Sequence, residues 1–133
     1  MKRLMAMVAV GVCAAVGAKA QEMTYGQVEF MNSCAVCHGQ SGRGDGPMAD
    51  ELQKRPADLT RLAERNGGEF PSLNVYSTID GRYVIAAHGT RDMPIWGRAF
   101  REEDRETYGP DEGEAVSSLR VEQLTRYIET LQR

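Results

Sequence analysis

The clearest periodicity in the chain lies near its C-terminus, where Val121, Leu124, Tyr127, Ile128 and Leu131 form one apolar stripe at helical spacing. A second helix is predicted from about Thr24 to Ala35, with Val28, Met31 and Ala35 at i, i+3 and i+7. Between these two, glycine and proline punctuate the pattern. Residues 39–47, GQSGRGDGP, hold four glycines and a closing proline and read as a loop. Pro47 is placed to open a short helix through Gln53, on which Met48 and Leu52 are four apart and read as core, and Pro56 blocks its continuation. Asp58 is the predicted N-cap of LTRLAERN, with Gly67 as its stop. A further short helix is predicted over Val75–Ile79, ending at Asp80-Gly81. A polar stretch follows from Arg101 to Ser118, of which residues 101–114 read most simply as a solvated loop. Strand signals are weak throughout, so the expected fold is a small all-α domain of several short helices.

The first twenty residues follow a different pattern. Lys2 and Arg3 precede an apolar or small-residue run from Leu4 to Ala18, and Ala18-Lys19-Ala20 places small residues where a signal peptidase reads. At about 15 residues the run is shorter than the roughly 20 needed for a bilayer span, so a cleaved secretory signal over 1–20 is preferred to a retained anchor. The expectation is a periplasmic protein with a single domain over 21–133 and no stable membrane span. Cleavage also removes Lys2, Arg3, Lys19 and Cys13, which moves the net charge from −3 to −6 and argues against nucleic acid as a partner. Residues 101–114 carry seven acids and two arginines, so the negative charge is concentrated there. A solvated, solubilising stretch is the simpler reading, and a docking surface for a basic partner is the functional one.

Only two cysteines remain after that cleavage, and both belong to Cys34-Ala35-Val36-Cys37-His38. This C-x-x-C-H spacing suits covalent haem attachment: two thiols three positions apart can add to two vinyl groups, and the adjacent imidazole can face the iron. Zinc would need four N/S ligands, and His88 is the only other candidate. A dithiol redox pair would need a βαβ setting that the pattern lacks. A disulfide here would close a very small loop and constrain little.

These residues carry a family resemblance. Gly26-x-x-x-Phe30-x-x-x-Cys34, Leu124-x-x-Tyr127-Ile128 and MPIWG at 93–97 are similar to the N-terminal helix, C-terminal helix and distal-ligand loop of class I (mitochondrial-type) c-type cytochromes of the bacterial periplasm. The resemblance implies a cytochrome c-like domain around one covalently bound haem c, with the terminal helices crossing where a glycine meets an aromatic. It implies single-electron transfer between redox protein partners, and a carrier rather than an enzyme. Two other roles remain open: an electron-transfer subunit of a larger dehydrogenase or oxidase, and a haem gas sensor or peroxidase-like protein.

With His38 as proximal ligand, the distal candidates are His88, Met23, Met31, Met48 and Met93. Met31 shares the attachment helix, Met23 is near the start of the domain, and Met48 is only ten residues beyond His38. Met93 lies 55 residues downstream, enough chain to pass round a porphyrin edge, and Pro94 stiffens the backbone after it. Met93 is the preferred ligand, with His88 as alternative and core filling as the simpler reading of the methionine. The resemblance places Pro47 as the carbonyl acceptor for the His38 ring N–H. Arg55, Arg82, Arg91 and Trp96 are candidate donors to the haem propionates, although arginine is more often a solvated surface residue. Tyr76 and Tyr83 read as packing residues.

Overall fold

The regular structure of the described residues, 23–82 and 93–133 of the computed structural model, is helical. The predicted signal segment, together with Tyr83, His88 and Arg91, lies outside the described residues. Among the described residues six α-helices follow in order: α1 (Tyr25–Ser33), α2 (Ala35–His38), α3 (Leu62–Arg65), α4 (Ser72–Asp80), α5 (Trp96–Tyr108) and α6 (Pro110–Thr130). Short 3-10 turns occur at Ala49–Glu51 and Leu59–Arg61. The described residues contain no strand, in agreement with the all-α expectation. No described helix is long and apolar enough to cross a membrane.

The core forms where α1 and α6 cross. Gly26 backs directly onto α6: a Cβ there would lie 2.7 Å from the Gln123 carbonyl carbon and 3.1 Å from Tyr127 Cβ. One helical turn along each helix, Phe30 and Tyr127 pack with ring centroids 5.2 Å apart. Phe30, Val121 and Leu124 are completely enclosed, and each such side chain contributes about 1.5–3 kcal/mol by leaving water. Ile79 of α4, Phe100 of α5 and Ile128 of α6 complete the cluster, and it extends to Cys34 and Ala35.

Three expectations are corrected. The buried face of α1 is Gly26 and Phe30 leading to Cys34, whereas Val28 of the predicted stripe is exposed. The helix predicted over Pro47–Gln53 reduces to the 3-10 turn at Ala49–Glu51, and Met48 and Leu52 are exposed. Residues 101–114, expected as a solvated loop, are helical on both sides of Gly109: they complete α5 and open α6. The chain reverses at Gly109, whose φ of +86° suits glycine, and Pro110 opens α6 with Asp111 and Glu112 at its positive end. Gly113 then lets the two helices touch, since a Cβ there would sit 2.6 Å from the Arg105 amide nitrogen.

Several acids of this stretch are structural. Asp104 is buried and pairs with Arg120 at 2.8 Å, while the same guanidinium reaches Glu103 and Glu29 at 3.0 Å each. Arg120 also lies 4.1 Å from the centre of the Phe100 ring, so one side chain links α1, α5 and α6 through charge and cation–π attraction. Glu114 pairs with Arg82 at 2.6 Å and with Arg105 at 2.8 Å. Glu102, Glu106, Asp111 and Glu112 remain exposed.

Candidate functional site

The site begins where α1 stops. Thr24 caps α1 by accepting from the Gln27 amide at 3.2 Å, and the helix closes with the Cys34 amide donating to the Phe30 carbonyl at 2.9 Å. One further turn follows, in which the Cys37 and His38 amides both donate to the Cys34 carbonyl, at 3.1 and 2.9 Å. Cys34, Cys37 and His38 are thereby set on a single turn anchored to the core through buried Cys34 and Ala35. Both thiols are free.

The glycine-rich segment is an ordered cap for this turn. Helix ends leave carbonyls without partners, and here the loop folds back to supply donors. The Met48 amide donates to Val36 at 3.0 Å, Gly46 to Cys37 at 3.1 Å and Gly44 to His38 at 2.7 Å. The approach leaves no space for a side chain at Gly46, where a Cβ would lie 2.5 Å from the Val36 oxygen and 2.6 Å from the Ala35 oxygen.

His38 is half-buried, and its Nδ1 lies 3.0 Å from the Ala57 carbonyl oxygen. A carbonyl only accepts, so this bond requires the proton on Nδ1 and leaves the Nε2 lone pair free. Burial pulls the His38 pKa below its ordinary value, against the opposing effect of the Ala57 carbonyl, which favours the neutral imidazole that a metal requires. Ala57 is itself held in place: the Leu59 amide donates to Gly42 at 2.7 Å, and Asp58 accepts from the Thr60 amide at 2.9 Å, as its predicted capping role requires. The acceptor expected from Pro47 is therefore supplied by Ala57. Pro47 instead lines an open cleft of about 630 Å³ beside the Cys–His turn, together with Met31, Ala35, Val36 and Asp45.

The Cys34 thiol is pushed up to about 12 by burial first, then by the charges of Glu29 and Cys37. A buried thiol of this kind differs from the accessible, low-pKa thiolates of dithiol exchange. Among the described residues no group of three or more His, Cys, Asp or Glu could hold a metal ion. The donors present suit haem: two free thiols one turn apart, then an imidazole with its outer nitrogen spare.

The other predicted residues are distributed as follows. Met93 and Trp96 are partly buried and pack against the apolar cluster that contains Cys34 and Ala35. Trp96 also stacks on Phe100, with centroids 6.0 Å apart. Arg55 is exposed, and its Nε lies 3.5 Å from the Gly44 carbonyl, a long contact. Arg82 is engaged by Asp80 and Glu114, which commits its guanidinium to protein carboxylates rather than to a haem propionate. Sequence reasoning did not find the Ala57 carbonyl, a backbone group with no side-chain signature, or the part played by Asp80.

A family model for Cytochrome c matches residues 23–132. No curated protein and no solved structure matches the chain.

Proposed function

Because the chain belongs to the cytochrome c family, whose domain binds covalently attached haem c and supports haem-based electron transfer, we propose that it is a class I periplasmic monohaem carrier with His38 and Met93 as axial ligands. The haem supplies the one-electron couple. Cys34 and Cys37 provide the thioether tethers, and the Ala57 carbonyl orients His38 from the side away from its free nitrogen. That orientation carries the reading: it leaves Nε2 available immediately after two free thiols.

Met93 is favoured as the second ligand by its place on the cluster that holds Cys34, by contrast with Met23 and Met48, which are exposed, and Met31, which shares the attachment helix. A His/Met pair raises the reduction potential relative to two histidines and fills both axial positions. Trp96 and Arg55 remain as donors toward the propionates, with Arg91 outside the described residues. The exposed Glu102, Glu106, Asp111 and Glu112 favour a basic redox partner, either met in diffusion or held as a companion subunit of a larger oxidoreductase.

The test is the haem content of protein recovered from a periplasmic fraction, followed by carbon monoxide addition to the reduced form. The expected result is one covalently held haem per chain and no rapid carbon monoxide binding. A high-spin reduced form that binds the gas readily would instead identify a sensor or peroxidase-like protein.

A further inference from the structure

The end of α4 and the start of α5 interlock through a single buried carboxylate. Asp80, the last residue of α4, is 1% exposed, and both of its oxygens are used. Oδ2 accepts from the Arg82 Nε at 2.7 Å and from the Arg82 amide at 3.3 Å, while Oδ1 accepts from Arg101 of α5 at 2.8 Å. The backbones meet at the same place. A Cβ on Gly97 would lie 2.6 Å from Asp80 Cα, and one on Gly81 would lie 3.2 Å from Ile95 Cβ. Gly81 can close α4 in this position because its φ is +68°. Segment 80–82 and segment 95–101 are thus fastened side by side, and Met93 stands two residues before Ile95.

We propose that Asp80 is a positioning residue for Met93: by bridging Arg82 and Arg101 it fixes the stem from which Met93 is presented, and so sets how firmly the Met93 sulfur holds the haem iron. The inference rests on the Met93 ligation proposed above. A ligand tethered within its own chain competes with free ligands through its effective concentration, which depends on how tightly the tether defines its position. Met93 is a neutral thioether, so this pre-positioning matters for its hold on iron. A carboxylate between two guanidiniums defines the register of two segments more sharply than apolar contact alone, because any slip leaves a charge buried without its partner.

The test is titration of the oxidised holoprotein with imidazole, followed by absorbance, in wild type, Asp80→Asn, Arg101→Gln, Met93→Ala and Arg120→Gln. Arg120→Gln disrupts a network that meets α5 at Phe100, Glu103 and Asp104 but includes none of Asp80, Arg82 and Arg101, and it controls for stability, which is measured in urea for every variant. Asp80→Asn is expected to tighten imidazole binding roughly tenfold and to weaken the sulfur-to-iron absorption band, as the effective concentration of Met93 falls. Arg101→Gln, which leaves Asp80 paired with Arg82, is expected to act in the same direction with a smaller change. Arg120→Gln is expected to lose stability while staying within about twofold of wild-type imidazole affinity, as sites without shared partners behave independently. Wild-type imidazole affinity in folded Asp80→Asn and Arg101→Gln would overturn the proposal, as would an equal rise in Arg120→Gln. If Asp80→Asn does not yield holoprotein, Arg101→Gln decides. A Met93→Ala protein with wild-type imidazole affinity, and a wild type lacking the sulfur-to-iron band, would remove the Met93 ligation itself and the proposal with it.

Discussion

Gly26 of α1 rests against the backbone of Gln123 in α6, leaving no space for a side chain where the terminal helices cross. One turn further on, Phe30 meets Tyr127, and one turn beyond that stands Cys34. The crossing therefore fixes the helix that leads into Cys34, the first of the two proposed haem tethers. Gly26→Ala should destabilise the protein by about 1–3 kcal/mol, because overpacking outweighs the gain in helix propensity. Urea unfolding should show a lower midpoint with an unchanged slope.

Gly46 bears on attachment more directly. Its backbone lies against the Ala35 and Val36 carbonyls, and its amide occupies the Cys37 carbonyl. Gly46→Ala must push the loop off the turn that carries the thiols and His38. The fraction of purified chain carrying covalent haem, read by mass and by haem absorbance, should fall well below that of wild type.

Arg120 balances carboxylates from two helices, and Asp104 beneath it is buried with one oxygen, Oδ2, lacking a protein partner. Arg120→Met should cost about 3 kcal/mol or more, since it leaves a buried charge uncompensated. Adding Asp104→Asn should recover part of that loss in urea unfolding, because the two residues act as a pair.

The pH dependence should bear the mark of Asp80. Burial alone raises its pKa, but the hydrogen bond and charge of Arg82, with Arg101, outweigh this and hold the carboxyl below its usual range. A depressed folded-state value means that ionised Asp80 stabilises the fold above its unfolded pKa of about 3.9. The contribution is lost as pH falls through the lower folded value. The stability difference between wild type and Asp80→Asn should be constant above about pH 5 and shrink below about pH 4.

The parts of the fold that were legible in the sequence are those where one residue type has one use. The C-terminal stripe, the cap at Asp58 and the C-x-x-C-H turn are of this kind. Helix α5 was not legible because the face it buries continues from Trp96 and Phe100 to Asp104, a charge made tolerable only by Arg120 from another helix. The first half of α6 escaped for a related reason: it buries Gly113 and Ser117, small residues that permit close approach and carry no hydrophobic signal. At the site, the turn that brings Cys34, Cys37 and His38 together could be read from spacing. The Ala57 carbonyl could not, because backbone geometry selects it. Asp80-Gly81 marked a helix end correctly, but nothing local in the sequence announces that Arg101 returns to the same carboxylate.

The central claim, an iron site shared between His38 and Met93, is tested most directly by the absorption spectrum of the oxidised protein and of its Met93→Ala variant. A weak long-wavelength sulfur-to-iron band should be present in wild type and absent from the variant, with covalent haem retained in both. A wild-type spectrum without that band, or a band that survives in Met93→Ala, would contradict the assignment.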